Sequence, residues 1–251
     1  MLKVMTYNVE FGGIGREEQI LTVLRDAKAD VIGLTEADDR DIVAAWADAL
    51  GMNFAWERGI GARHLAVLSR FSIISSAIHK TPPLFQGALE TRIQMAETVL
   101  TVYTLHLRPY PMWFYEVRRW QAVGALLALI QNSNIGPHLI VGDMNTIAPG
   151  ERYMHQYAGV SIRRWLLLQG NRVWPLAIAR LLRAGYVDCY REMHPNGDGF
   201  TYQLDGNWMG RFDFLFASAD LNKRLRACNI YTEFPAQTAS DHLPVWATFA
   251  L

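Results

Sequence analysis

The run His138-Leu139-Ile140-Val141-Gly142-Asp143-Met144-Asn145 limits what this chain can become more than any other stretch. Three aliphatic residues in succession, closed by a glycine, read as a short buried strand. Gly142 is expected to turn the backbone tightly and leave Asp143 and Asn145 at the rim. A carboxylate and a carboxamide two apart at a strand end are costly to hold unless something uses them. Taken alone, the octet reads as an Asx turn closing a strand.

Similar runs recur along the chain, interleaved with helical stripes. Strands are expected at Leu2–Val9, Val31–Thr35 and Asn53–Trp56, then at Leu65–Ser69 and Phe71–Ile78 joined by a short turn. A further hairpin is expected from Ile93–Ala96 and Thr98–His106, with Phe200–Leu204, Phe212–Ala217, Cys228–Tyr231 and Val245–Phe249 completing the strands. Helical spacing appears over Arg16–Ala29, Asp39–Leu50 (stopped by Gly51), Trp113–Gln131 and Pro175–Ala184. This alternation predicts an α/β fold of two packed mixed sheets with helices outside, which gathers many strand ends on one edge.

At 251 residues, half of them hydrophobic, the chain can bury a large core, and one domain over 1–251 is the default expectation. Lys plus Arg balance Asp plus Glu at 24 each, so net charge says nothing about partners. Two cysteines, Cys189 and Cys228, are too few for a disulfide framework and fit a reducing compartment. With no apolar leader at the N-terminus and no apolar run long enough to span a bilayer, a cytoplasmic location is expected.

The polar residues at the expected strand ends are Asn8, Glu36, His106, Asp143, Asn145, Asp213 and the Ser240-Asp241-His242 triplet. Each alone has a plain structural use as a cap, a turn or a satisfied core histidine. Together they supply carboxylates, amides and imidazoles, the inventory of a hard-metal phosphoester hydrolase. Oxygen donors of this kind suit Mg²⁺ or Mn²⁺ better than Zn²⁺.

In order along the chain, Tyr7-Asn8-Val9, Leu34-Thr35-Glu36, Thr104-Leu105-His106-Leu107, Gly142-Asp143-Met144-Asn145, Arg211-Phe212-Asp213 and Ser240-Asp241-His242 resemble the motifs of the endonuclease/exonuclease/phosphatase superfamily. Leu68-Ser69-Arg70-Phe71, Arg118 with Gln121, and Gly185-Tyr186-Val187-Asp188 agree with it. The resemblance implies a deoxyribonuclease I-like four-layer sandwich and a Mg²⁺- or Mn²⁺-dependent hydrolase. Glu36 would be the principal metal ligand, with Asn8 and Asp241 completing or supporting the shell. Asp143 would orient and deprotonate the attacking water, Asn145 would hold that water or the phosphate, and His242, polarised by Asp213, would face the scissile group. His106 would act as general acid or phosphate clamp. Its slot holds His in the deoxyribonuclease I and many phosphatase branches and Tyr in the exonuclease III and abasic-site branches, which argues against abasic-site repair. Thr35 departs from the usual Gln, with little expected consequence.

Substrate choice is expected downstream of Asn145. Between Arg152 and Val187 there is no Asp or Glu, while Arg152, Arg163, Arg164, Arg172, Arg180 and Arg183 are cationic. Arg163, Arg164 and Trp165 suit a nucleic-acid backbone with stacking, an anionic membrane surface, or a helix packing its Leu face on the sheet with arginines in water. Trp113 and Tyr115 either stack on bases, insert at an interface, or begin the core helix. Cleavage of nucleic-acid phosphodiesters is the leading expectation. A phosphatase or phospholipase-like activity on inositol phosphates or a lipid head group is the second, and a non-catalytic binding protein the third. No obligate protein partner is called for.

Overall fold

The computed structural model describes residues 1–61, 63–133 and 136–250. In chain order these form β1 (Leu2–Asn8), α1 (Glu17–Ala27), β2 (Val31–Thr35), α2 (Arg40–Leu50), β3 (Asn53–Glu57), β4 (Leu65–Ser69), β5 (Ile73–His79), β6 (Ala88–Gln94), β7 (Val99–His106) and α3 (Trp113–Gln131). They continue with β8 (His138–Asp143), α4 (Val160–Leu168), α5 (Leu176–Arg183), β9 (Val187–Asp188), α6 (Cys189–Met193), β10 (Tyr202–Leu204) and β11 (Asn207–Gly210). The chain closes with β12 (Asp213–Ala217), α7 (Ala219–Asn222), β13 (Leu225–Ile230), α8 (Ala236–Ala239) and β14 (Val245–Phe249).

Two six-stranded mixed sheets result, ordered β13-β14-β1-β2-β4-β3 and β5-β6-β7-β8-β12-β9, beside a small β10-β11 ribbon. The pairs β1/β2 and β7/β8 are parallel. Side-chain alternation assigns each strand two jobs. Leu2, Val4, Val31, Val102, Leu139, Val141 and Leu215 face inward and form the core between the sheets. Met5, Tyr7, Ile32 and Leu34 face outward against Leu24 and Trp46 of α1 and α2, while Tyr103, Ile140 and Phe216 meet Leu126 and Ile178 of α3 and α5. The four layers are therefore helix, sheet, sheet, helix, as the apolar runs predict.

Three local expectations change. Leu65–Ser69 and Phe71–Ile78 do not form a hairpin: β4 lies between β2 and β3 in one sheet, and β5 pairs β6 at an edge of the other. Burial explains the split, since all of β4 is buried and most of β5 is not. The strand expected at Ile93–Ala96 begins at Ala88, because Glu90, Arg92 and Gln94 are the outward half of an alternating strand rather than a loop. Gly142 does not turn the chain. It lies within β8 at φ 131°, where a Cβ would sit 1.9 Å from the Leu105 carbonyl oxygen. Glycine is needed there for close strand approach, and the turn follows at Asn145, φ 50°.

Candidate active site

Register builds the site. His106 pairs with Asp143 across β7/β8, and Asp143 pairs with Asp213 across β8/β12, so three side chains from adjacent strands stand in a row on one face. That face is the inward one, shared with Val141 and Leu215. Asn8 continues the inward face of β1 beyond Val4 and Thr6. At one edge the core between the sheets thus passes from aliphatic to polar.

Each group has defined partners. Asn8 Nδ2 donates to Asp143 Oδ2 (3.1 Å) and Glu36 Oε1 (3.3 Å), while its Oδ1 accepts from the Glu10 N–H (3.0 Å). A backbone donor to Oδ1 fixes the amide orientation, and Asn8 clamps the two carboxylates through Nδ2. Glu36 sits at φ 53° just past β2, and its Oε2 accepts from the Phe11 N–H (3.1 Å). Asn145 donates its N–H to Asp143 Oδ1 (2.8 Å) and its Nδ2 to Asp143 Oδ2 (3.0 Å) and the Leu107 carbonyl (3.0 Å). Both amide hydrogens are spent, which leaves Oδ1 as the group with capacity for water. Ser240 Oγ donates to the Asn8 carbonyl (2.7 Å) and accepts from the His242 N–H (3.2 Å), tying the Asp241-His242 segment to the end of β1.

The imidazoles behave oppositely. Asp213 Oδ2 accepts from His242 Nδ1 at 2.7 Å, and His242 Nε2 lies 3.8 Å from Asp143 Oδ2. Burial opposes its charge, but Asp213 and then Asp143 outweigh burial and raise His242 to about 10. His106 Nε2 is 3.4 Å from Asp143 Oδ2 and 3.6 Å from Glu36 Oε1, yet burial lowers it to about 4 against the pull of Glu36. Burial thus disfavours the charged form of His106, and its ring is placed to orient both carboxylates. Burial, then Asp213 and Glu36, lift Asp143 to about 7 despite His242 and the Asn145 N–H. Burial also pushes Glu36 upward, but His106, the Phe11 N–H and the Asn8 amide outweigh it and hold that carboxyl below its ordinary value.

These groups share a cleft of about 160 Å³ lined by Glu36, His106, Asp143, Asn145, Asp241 and His242. Its wall is aromatic: Tyr153 stacks on Phe212 (6.0 Å between centroids), Phe212 on Tyr202 (5.2 Å), and Tyr202 leans on His242 (4.9 Å). Of these rings the sequence motifs mark only Phe212, beside Asp213. Arg119 is a further residue that the sequence motifs, which include Arg118, do not mark. Arg119 is fully buried, pairs with Glu116 (2.8 Å) and donates to the Arg108 and Tyr110 carbonyls (2.6 and 2.9 Å), fixing the loop after His106. The Glu-x-x-Arg spacing was the available signal.

Trp113, Tyr115, Arg163, Arg164 and Trp165 do not line the cleft; Tyr110, Pro111, Ile162 and Val173 of the same two segments do. Tyr115 turns to a separate hollow with Arg108, Phe114 and Arg118. Of the three readings of the Arg163–Trp165 segment, a helix packing its leucine face on the sheet is not observed in α4. Leu166 alone of its three leucines is buried, and Leu167 and Leu168 face solvent with the arginines. The nine-residue helix meets the first turn of α3 through Trp165 and Phe114 rather than lying on a strand.

A hard cation fits this donor set. Burial, Glu10, Glu36 and Asp213 raise Asp241 to about 6 against His242, so the cleft concentrates carboxylate charge that a divalent ion would relieve. Asp143, Asp213 and His242 also offer ligand atoms within 4.8 Å of one another. Asp213 and His242 are already bonded to each other, however, while the Glu36 and Asp241 carboxylates both line the cleft.

An oxygen-rich metal cleft beside a charged imidazole and a poised carboxylate defines a phosphoester hydrolase. The chain belongs to the Endonuclease/Exonuclease/phosphatase family, whose model matches residues 5–242. Exodeoxyribonuclease III of Haemophilus influenzae is 25% identical over 274 residues, spanning 99% of this chain and 100% of that protein. Among solved structures, an AP endonuclease from Archaeoglobus fulgidus superposes with TM-score 0.77 at 20% identity, over 100% of both chains. A Neisseria 3′ phosphatase bound to product DNA hairpin superposes with TM-score 0.76 at 19% identity, also over 100% of both chains. At these identities the structural likenesses establish the shared fold.

Proposed function

We propose that the protein hydrolyses phosphodiester bonds in nucleic acid, using Mg²⁺ or Mn²⁺ held by Glu36 and Asp241. The observation that carries this reading is the in-register row of His106, Asp143 and Asp213, with His242 bonded to its far end. Asp143, lifted to about 7, accepts the proton of the attacking water. Asn145 Oδ1 accepts the other hydrogen of that water and sets its direction. The Asp213 carboxylate holds the His242 Nδ1 proton, so the Nε2–H of an imidazolium meets the charge developing on the phosphate. His106 and Asn8 keep the Glu36 and Asp143 carboxylates apart and oriented. The cation, when bound, neutralises phosphate oxygens and eases departure of the ester oxygen.

Nucleic acid is favoured because the named relatives act on or bind DNA and because the Tyr153–Phe212–Tyr202 wall offers rings beside His242. His106 argues for intact over abasic strands. The test is a panel of single- and double-stranded DNA, abasic duplex, 3′-phosphorylated DNA, RNA and inositol phosphates, with Mg²⁺ or Mn²⁺ and EDTA controls. EDTA-sensitive cleavage of intact DNA or RNA is expected. Turnover of inositol phosphates alone would replace the substrate assignment, and preference for the abasic duplex would overturn the reading of His106.

A further inference from the structure

The outward face of α4 has no role in the cleft. At about 100° per residue, Val160, Arg163, Arg164, Leu167 and Leu168 fall on one side of that helix. All five are exposed, Leu167 by 68% and Leu168 by 80%. Ile162 and Leu166 turn the other way, Ile162 into the cleft wall and Leu166 into the protein. The apolar surface continues sideways. Trp165 packs edge-on against Phe114 (6.0 Å), Gln169 Oε1 accepts from the Trp113 N–H (3.2 Å), and Trp113, Trp174 and Leu176 line an apolar hollow next to it.

Arg163, Arg164 and Arg172 make no ion pair among the described residues, and no acidic residue occurs from Arg152 to Val187. Exposed apolar patches rimmed by polar residues mark protein or membrane interaction sites. We infer that this face docks on an anionic phospholipid bilayer, with Leu167 and Leu168 entering the head-group boundary and the arginines meeting lipid phosphates. A second copy of the chain fits poorly, since self-docking would oppose like charges. A nucleic-acid strand would use the arginines but leave the two most exposed leucines in water. The inference concerns where the enzyme sits and is independent of the substrate assignment.

The test is co-sedimentation of the full chain with vesicles of phosphatidylcholine alone or with phosphatidylglycerol, at low and high salt. Wild type is expected to bind only the anionic vesicles, less at high salt. The Leu167→Asn/Leu168→Asn double variant, altered only at exposed positions, should lose at least about tenfold in partitioning (about 1.4 kcal/mol). Its DNA cleavage in vesicle-free solution should be unchanged. Arg163→Glu/Arg164→Glu should abolish the salt-sensitive component. No binding to anionic vesicles, or full binding by the leucine variant, would overturn the proposal. So would loss of DNA affinity in the leucine variant with vesicle binding intact, which would mark the face as a nucleic-acid contact. Because wild-type cleavage is measured without vesicles, failure here leaves the substrate assignment separately tested.

Discussion

Replacing Asp213 by Asn keeps the shape of the His242 partner and removes its charge. Catalysis as proposed needs Asp143 ionised and His242 protonated at once. Those conditions overlap between about 7 and about 10, the two raised values, and are best met near pH about 8.5. Without the Asp213 carboxylate, the burial that pushes His242 downward loses its largest opponent, and the imidazole falls toward its ordinary 6.5. At pH about 8.5 only about 1% of molecules would then carry the imidazolium, a loss of about 100-fold in kcat/KM, or about 3 kcal/mol. Near pH 7 the defect should shrink to about fourfold.

The assay is a pH profile of kcat/KM for both proteins on one DNA substrate, with the His242 ring protons followed by NMR. The alkaline limb should move from about 10 to near 6.5. A uniform loss at every pH, or a limb unmoved near 10, would refute the argument. Stability follows the same linkage. A histidine raised on folding contributes stability that is full below its ordinary 6.5 and lost as pH rises through about 10. The urea midpoint of the wild type should therefore fall across that interval, and that of Asp213→Asn should fall less.

Two further substitutions probe separate parts of the account. Gly142→Ala would drive a Cβ to 1.9 Å from the Leu105 carbonyl at φ 131°, forcing β7 and β8 apart; destabilisation of about 3 kcal/mol or more is expected in urea unfolding, against less than about 1 kcal/mol for Gly136→Ala, where a Cβ meets nothing. Glu36→Gln should weaken Mn²⁺ binding, read by electron paramagnetic resonance or calorimetry, by at least about tenfold and erase the melting-temperature gain from added Mg²⁺.

The layers were legible in the sequence because burial writes itself as periodicity. The uniformly apolar Val31–Thr35 and Leu65–Ser69 are central strands, and Asp39 with Gly51 does bracket α2, Asp39 accepting from the Asp41 and Ile42 N–H groups and Gly51 adopting the left-handed conformation. Strand ends point to these polar groups because a polar residue closing a buried run has few structural excuses. What escaped notice depends on tertiary context. β6 hid behind Glu90 and Arg92, whose outward side is solvated. The division between β4 and β5 turns on which strand is shielded on both faces, and adjacency in sequence does not carry that. The aromatic wall was missed because Tyr153, Tyr202 and Phe212 meet only after the β10–β11 ribbon is placed. For α4 a helix is only one of three readings of the Arg163–Leu168 run, and which leucines face inward depends on neighbours that the sequence does not name.

Hydrolysis initiated by Asp143 is the central claim. Its most direct measurement is the single-turnover rate of DNA cleavage by wild type and Asp143→Asn in saturating Mg²⁺, with circular dichroism confirming that both fold. The variant's rate should fall by at least about 100-fold, with nucleic-acid affinity within a few-fold of wild type. Cleavage by Asp143→Asn at the wild-type rate would contradict the claim.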